Sequence, residues 1–124
     1  MTAKHTSEED EWLTHRINSW VETYKKSMLT PVILSLVSQH QPVTVAELAS
    51  KIGETTGWEL TERGLYRTIK RLQDSDLLNT DDVDAPRTGA KRKEISISAL
   101  GAGLLEGISQ NMVTLPRGLF TSGG

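Results

Sequence analysis

The amino-acid sequence predicts a mostly α-helical fold with a small two-stranded β hairpin. Several stretches place apolar residues at helical spacing after a capping residue, which is typical of amphipathic helices. One later stretch, Lys93 to Ser98, alternates polar and apolar side chains as a half-buried strand does. The chain has 124 residues, of which 36% are hydrophobic, and this suits one domain with one modest core.

The charge, cysteine content and hydropathy of the chain exclude several classes of protein. A formal net charge of -2 argues against a protein that coats nucleic acid without sequence preference. Eight of the fourteen Lys and Arg residues nevertheless lie between Arg63 and Lys93, so we expect a locally basic face. Because there is no cysteine, disulfides and thiolate metal sites are excluded. No apolar run approaches the ~18 residues of a membrane span and no signal peptide is recognisable, so we expect a soluble, cytoplasmic protein.

The N-terminal segment predicts a long helix, from Ser7 to Lys26, that carries several aromatic side chains. Thr6 or Ser7 fits a capping box, and the acidic residues that follow lie where the helix dipole favours negative charge. Three interpretations of the aromatic side chains are open: packing in the core, a dimer interface, or the wall of a pocket for an aromatic ligand. The candidate dimer or effector-binding residues are Trp12, Ile17, Trp20, Tyr24, Leu104 and Ile108.

Two further helices are expected before the middle of the chain. Thr30 as N-cap and Pro31 at the first helical position predict a buried helix that is apolar on nearly all sides. Thr44 and Glu47 form a capping box for the next helix, which Gly57 ends. These two helices supply much of the expected core.

A basic helix follows, and we expect Thr61 to cap it. Leu65, Ile69 and Leu72 recur at i, i+4 and i+7 and form one apolar stripe. The opposite side carries cationic residues and one tyrosine. An ordinary amphipathic surface helix gives the same pattern, so the function of the basic helix has to be inferred from the segments that flank it. The residues on the polar side are Arg63, Tyr66, Arg67, Lys70 and Asp74.

The last third of the chain predicts a hairpin and a final helix. A strand begins near Leu77, a turn-rich segment spans residues 80–89, and Lys93 to Ser98 returns as the second strand. The helix from Ala99 to Val113 contains three glycines, each of which costs about 1 kcal/mol against alanine, so it needs a closely packed partner or else frays after Leu105. Four cations lie at the hairpin tip and on the returning strand, namely Arg87, Lys91, Arg92 and Lys93.

This order of elements predicts a winged helix-turn-helix with added N-terminal and C-terminal dimerisation helices. In that fold, the third helix of the core enters the DNA major groove and the hairpin, or wing, lies along the phosphate backbone. We expect an N-terminal extension at 1–27, the DNA-binding domain at 28–98, a dimerisation helix at 99–115 and a flexible tail at 116–124.

Residues 28–105 resemble the PadR family of winged-helix transcriptional regulators. The most specific part is Gly64-Leu65-Tyr66-Arg67, which runs into Lys70-Arg71-Leu72 and is similar to the family's glycine, threonine, leucine, tyrosine sequence before an arginine-leucine pair. The chain departs from the family at Thr44-Val45, where a glycine-tyrosine pair is common. The resemblance implies a dimeric repressor that a small aromatic or amphipathic compound releases from DNA.

The expected partners are double-stranded DNA with a pseudo-palindromic operator, a second copy of the chain and a small effector. We expect no enzymatic activity, no cofactor and no metal site, because the histidines have no acidic partner at metal-ligand spacing. The alternative is a protein-interaction module that uses the face of Trp12 and Trp20. The candidate DNA-binding residues are Thr61, Arg63, Tyr66, Arg67, Lys70, Arg87, Lys91, Arg92 and Lys93.

Overall fold

The computed structural model of the protein describes residues 6–84 and 89–116. It confirms a mostly helical fold with an antiparallel wing, which here belongs to a three-stranded sheet. None of the helices in these two ranges combines the length and apolar character that crossing a bilayer would require. The elements within them are α1 (Ser7–His40), β1 (Val43–Thr44), α2 (Val45–Thr56), α3 (Glu62–Asp74), β2 (Leu78–Asp84), β3 (Lys91–Ile97) and α4 (Ala99–Gln110).

The first helix is continuous over 34 residues, about 51 Å at ~1.5 Å per residue. The prediction that a separate helix begins at Pro31, with Thr30 as its N-cap, is wrong, and the boundary expected after residue 27 falls inside α1. A proline inside a helix removes one backbone hydrogen bond. Pro31 is itself buried, however, beside the core residues Ile33 and Leu34. The helix therefore continues through Pro31 in the segment where its apolar side chains are buried in the core.

Local capping agrees with the sequence at three helix starts. Thr6 and Glu9 form a capping box, in which the Glu9 N–H donates to the Thr6 hydroxyl oxygen over 3.1 Å. Thr44 does the same for α2 with Glu47, and Gly57 ends that helix in the left-handed region at φ 76°. The Thr61 hydroxyl oxygen accepts from the Gly64 N–H and caps α3.

The sheet has the order β1-β3-β2, so the returning strand of the wing lies in the centre. The sequence did not predict β1, which pairs Val43 with Ile95 and Thr44 with Glu94. The wing strands are also longer than expected, because β2 continues to Asp84 through residues predicted as turn. β1 ties the start of α2 directly to the wing.

One hydrophobic core holds the helices against the sheet. The predicted stripe of α3 is buried, since Leu65, Ile69 and Leu72 are each at most 4% exposed. They meet residues of α1, α2 and all three strands. The cluster consists of Ile33, Leu34, Leu36, Val37, Val43, Val45, Leu48, Ile52, Leu65, Ile69, Leu72, Leu78 and Ile95.

The last helix, α4, continues beyond Leu105, so the alternative in which it frays there is wrong. It ends at Gln110, three residues before the predicted Val113. Ser98 caps it by accepting from the Gly101 N–H over 2.9 Å. Gly101 is buried against the wing, where a Cβ atom would overlap the carbonyl oxygen of Leu77.

Candidate nucleic-acid interface

The burial of one side of α3 leaves the opposite side exposed. Because Leu65, Ile69 and Leu72 point into the core, the polar residues at the intervening positions project into solvent. Tyr66 is 45% exposed although it is aromatic. We name this surface the recognition face, and it consists of Arg63, Tyr66, Arg67 and Lys70, all exposed.

The wing places a second group of cations beside the recognition face. A shallow groove of ≈ 340 Å³ lies between the start of α2, the first turns of α3 and the wing. Tyr66 from α3 and the three wing cations line the same groove, whereas Arg63, Arg67 and Lys70 are not among its lining residues. Arg87 lies outside the described residues. The lining consists of Thr44, Val45, Ala46, Glu62, Tyr66, Asp82, Lys91, Arg92 and Lys93.

Two of the candidate cations have carboxylate partners. Lys70 pairs with Asp74 one turn further along α3 at 2.9 Å, and both side chains are largely exposed. Arg92 pairs with Glu94 on the same strand at 3.2 Å. An exposed pair such as Lys70–Asp74 is worth at most about 1 kcal/mol, so a phosphate can replace its carboxylate at little cost.

A capping carboxylate fixes the edge of the groove. The backbone N–H and the hydroxyl of Thr44 donate to Glu47 over 3.0 and 2.9 Å. These hydrogen bonds hold the pKa of Glu47 below its ordinary value, and the nearby charges of Arg92 and Lys51 lower it further. Because Thr44 is also paired in the sheet, this box fixes the start of α2 relative to the wing.

Two acidic residues of the groove were absent from the sequence-based set. Glu62 begins α3, and Asp82 lies on β2 opposite Lys93. The residues predicted from sequence to contact DNA are cations, one tyrosine and a capping threonine, because carboxylates repel phosphates. Glu62 precedes Tyr66 by four residues, so helical spacing alone would have placed the two side chains on one face.

The aromatic side chains of α1 lie on the surface. Trp12 is 62% and Trp20 63% exposed, so the interpretation that they pack in the core of this chain is wrong. The reason is that the first turns of α1 extend past the core. The rings of Trp20 and Tyr24 stack with their centroids 4.9 Å apart, and the rings of Tyr24 and Trp58 lie nearly perpendicular with their centroids 6.3 Å apart. We name the exposed residues Trp12, Ile17, Trp20 and Tyr24 the aromatic face.

A separate cavity of ≈ 300 Å³ lies between α1, α4 and the end of α2. None of the six residues predicted for a dimer or effector site lines it. Of those six, Leu104 on α4 is exposed and Ile108 is half-buried. The cavity is mostly apolar with four polar side chains, and its lining consists of Met28, Pro31, Val32, Ser35, Leu36, Gln39, Thr55, Leu105, Ser109 and Met112.

A helical core whose exposed basic helix stands beside a cationic hairpin defines the winged-helix class of DNA-binding proteins. Residues 33–106, more than half of the chain, match the Transcriptional regulator PadR-like family. The chain belongs to this family of DNA-binding transcriptional regulators. The comparison with curated proteins found no match.

Solved structures from several organisms share the fold. A PadR-like transcriptional regulator from Bacillus cereus is 27% identical, with a TM-score of 0.63 over 71% of this chain and 84% of that chain. A PadR family regulator from Eggerthella lenta is 18% identical, with a TM-score of 0.68 over 81% and 85%. Bacillus subtilis PadR in complex with operator DNA is 18% identical, with a TM-score of 0.62 over 73% of this chain and 52% of that chain.

Proposed function

We propose that this regulator is a dimeric, sequence-specific repressor that uses α3 and the wing to bind a pseudo-palindromic operator. The groove that Tyr66 lines together with Lys91, Arg92 and Lys93 is the observation that carries this proposal. It presents an aromatic hydroxyl and three cations on two adjoining elements. The Bacillus subtilis relative in complex with operator DNA supports this use of the fold.

The two elements have different roles. In this proposal the recognition face enters the major groove, where Arg63 or Arg67, both exposed, donates two hydrogen bonds to a guanine edge. Lys91, Arg92 and Lys93 contact phosphates, which positions the protein but does not select sequence. Thr61 caps α3, and its hydroxyl hydrogen remains able to donate to a phosphate.

Two exposed apolar surfaces support the homodimer. The aromatic face of α1 is one, and the outer side of α4, with Leu100 and Leu104, is the other. Contiguous apolar surface of this kind marks a contact site for another protein. The backbone at Gly103 and Gly107 is open, which allows a second helix to approach α4 closely. A symmetric dimer would place two copies of α3 about one DNA turn apart.

The cavity between α1 and α4 supports release by an effector. Its size suits a small aromatic compound, and Ser35, Gln39, Thr55 and Ser109 offer it hydrogen bonds. Because α1 also packs against β3 and α2, a ligand that moves α4 relative to α1 would disturb elements that position the groove. The alternative, a protein-interaction module based on Trp12 and Trp20, is not favoured by the family.

The test compares two single substitutions in a gel-shift titration on DNA fragments selected from the source genome. Arg67→Ala is expected to cost about 1 to 3 kcal/mol on the selected sequence and much less on random DNA. Lys91→Ala is expected to weaken binding to both and to reduce the salt slope by about 1. If both variants bind as tightly as the natural chain, the DNA-contact roles of Arg67 and Lys91 are refuted. If the natural chain binds neither the selected nor the random DNA, the proposed DNA-binding function is refuted.

A further inference from the structure

The first residue of α3 contributes a carboxylate to the groove. Glu62 is exposed at the first position of α3 and lines the groove together with Tyr66 and the wing cations. In the described part of the chain, no hydrogen bond or ion pair involves its carboxylate. The other acidic residue of the lining, Asp82, likewise forms no ion pair with a described residue, but it lies on β2, directly across the strand pair from Lys93, and not on α3.

The chemistry of a carboxylate restricts what Glu62 can bind on DNA. An ionised carboxylate only accepts hydrogen bonds, and phosphate oxygens likewise only accept, so the two repel. In the major groove, hydrogen-bond donors are the exocyclic amines of cytosine and adenine. Adenine presents its amine beside an acceptor nitrogen, N7, which a carboxylate cannot satisfy. Cytosine presents its amine without such an acceptor on its own edge.

We propose that Glu62 recognises cytosine by accepting a hydrogen bond from its N4 amine at the operator position that faces the start of α3. This inference rests on the proposed function of α3 as the recognition helix. Glu62 would then be an acidic residue that selects sequence, on a DNA-binding surface whose other charged contacts are cations. Glu62 also disfavours DNA on which a phosphate or an acceptor-only base edge meets it.

A different role for Glu62 is stabilisation of α3, since a negative charge in the first turn interacts favourably with the helix dipole. That role requires charge alone and does not change which base is preferred. Glu62→Asp separates the two roles, because it keeps the charge but shortens the reach of the carboxylate. Glu59→Gln is a matched control, since Glu59 is exposed, lies before α3 and does not line the groove.

The experiment selects bound sequences from a random double-stranded DNA library with the natural chain and each variant. In the sequences that the natural chain selects, we expect one cytosine in each DNA half-site, preferred about 5-fold or more over other bases. Glu62→Gln should shift this position towards adenine, because an amide both accepts and donates. Glu62→Ala and Glu62→Asp should lose the cytosine preference, and Glu59→Gln should retain the full sequence profile.

The outcomes separate this inference from the proposed function. If the Glu62 variants bind DNA with an unchanged sequence profile, the inference is wrong and the function stands. If the natural chain selects no sequence, the proposed function itself fails. Circular dichroism of each variant measures folding, and a folded Glu62→Asp with an intact cytosine preference would also overturn the inference.

Discussion

The three glycines of α4 are expected to respond in opposite directions to alanine. At Gly103 and Gly107 the added methyl group meets no atom within 4 Å, so each substitution should stabilise the isolated chain by the helix-propensity difference of about 1 kcal/mol. At Gly101 the same methyl group would overlap the Leu77 carbonyl oxygen and press on Ile97. Overpacking of this kind typically costs 1–3 kcal/mol.

The Leu77 carbonyl oxygen cannot move away freely, because it accepts a hydrogen bond from the Ser98 N–H over 3.2 Å. Loss of that bond would add about 1 kcal/mol to the cost. The propensity gain of about 1 kcal/mol does not offset both effects. We therefore expect Gly101→Ala to lower the free energy of unfolding by ~1–3 kcal/mol, whereas the other two alanines raise it.

The assay is urea unfolding followed by circular dichroism at two protein concentrations, together with sedimentation equilibrium. Two concentrations are needed because a dimer, if it forms as proposed, stabilises the folded chain in a concentration-dependent way. If Gly103 and Gly107 lie in the dimer interface, their alanines should weaken dimerisation while stabilising the monomer. A Gly101→Ala chain as stable as the natural one would show that α4 does not pack against Leu77 as closely as described.

Three further outcomes are expected. Asp82→Asn, which removes the carboxylate opposite Lys93, should strengthen binding to random DNA more than Asp81→Asn does, as measured by fluorescence anisotropy, because Asp81 faces Glu94 instead. Because the pKa of Glu47 is lowered in the folded chain, its ionised carboxylate should stabilise the fold above pH 4.5, and this stability should be lost as the pH falls through the folded-state pKa. In a series of thermal-unfolding measurements over that pH range, the stability of Glu47→Gln should depend less on pH than that of the natural chain. Trp20→Ala should reduce dimerisation in sedimentation experiments without loss of folding, since its side chain is exposed; an unchanged dimer would exclude the aromatic face from the interface.

Features governed by neighbours in sequence were predictable. The capping boxes at Thr6 and Thr44 depend on residues three positions apart, and the stripe of α3 depends on helical periodicity alone. The exposure of Arg63, Tyr66, Arg67 and Lys70 likewise follows from their place on one face of one helix. These predictions need no knowledge of distant contacts.

Features that depend on tertiary contacts were not predictable. Local preference marks Pro31 as a helix start, but the structure buries it inside a continuous helix. β1 has only two residues, too few for alternation to be recognised, and it exists because β3 pairs with it. Trp12 and Trp20 are exposed because the N-terminal part of α1 extends beyond the core.

Under the proposed function, the distribution of charge in the wing accounts for selective binding of DNA by an acidic chain. Lys93 lies directly across the strand pair from Asp82, and Lys91 from Asp84. Opposite charges at such positions stabilise the hairpin, and the carboxylates weaken the attraction of the lysines for phosphate. Non-specific binding depends almost entirely on phosphate contacts, so the carboxylates reduce its affinity by a larger share than they reduce the affinity for the operator, to which α3 adds base contacts. Under the proposed function, the aspartates of β2 therefore increase the ratio of specific to non-specific affinity.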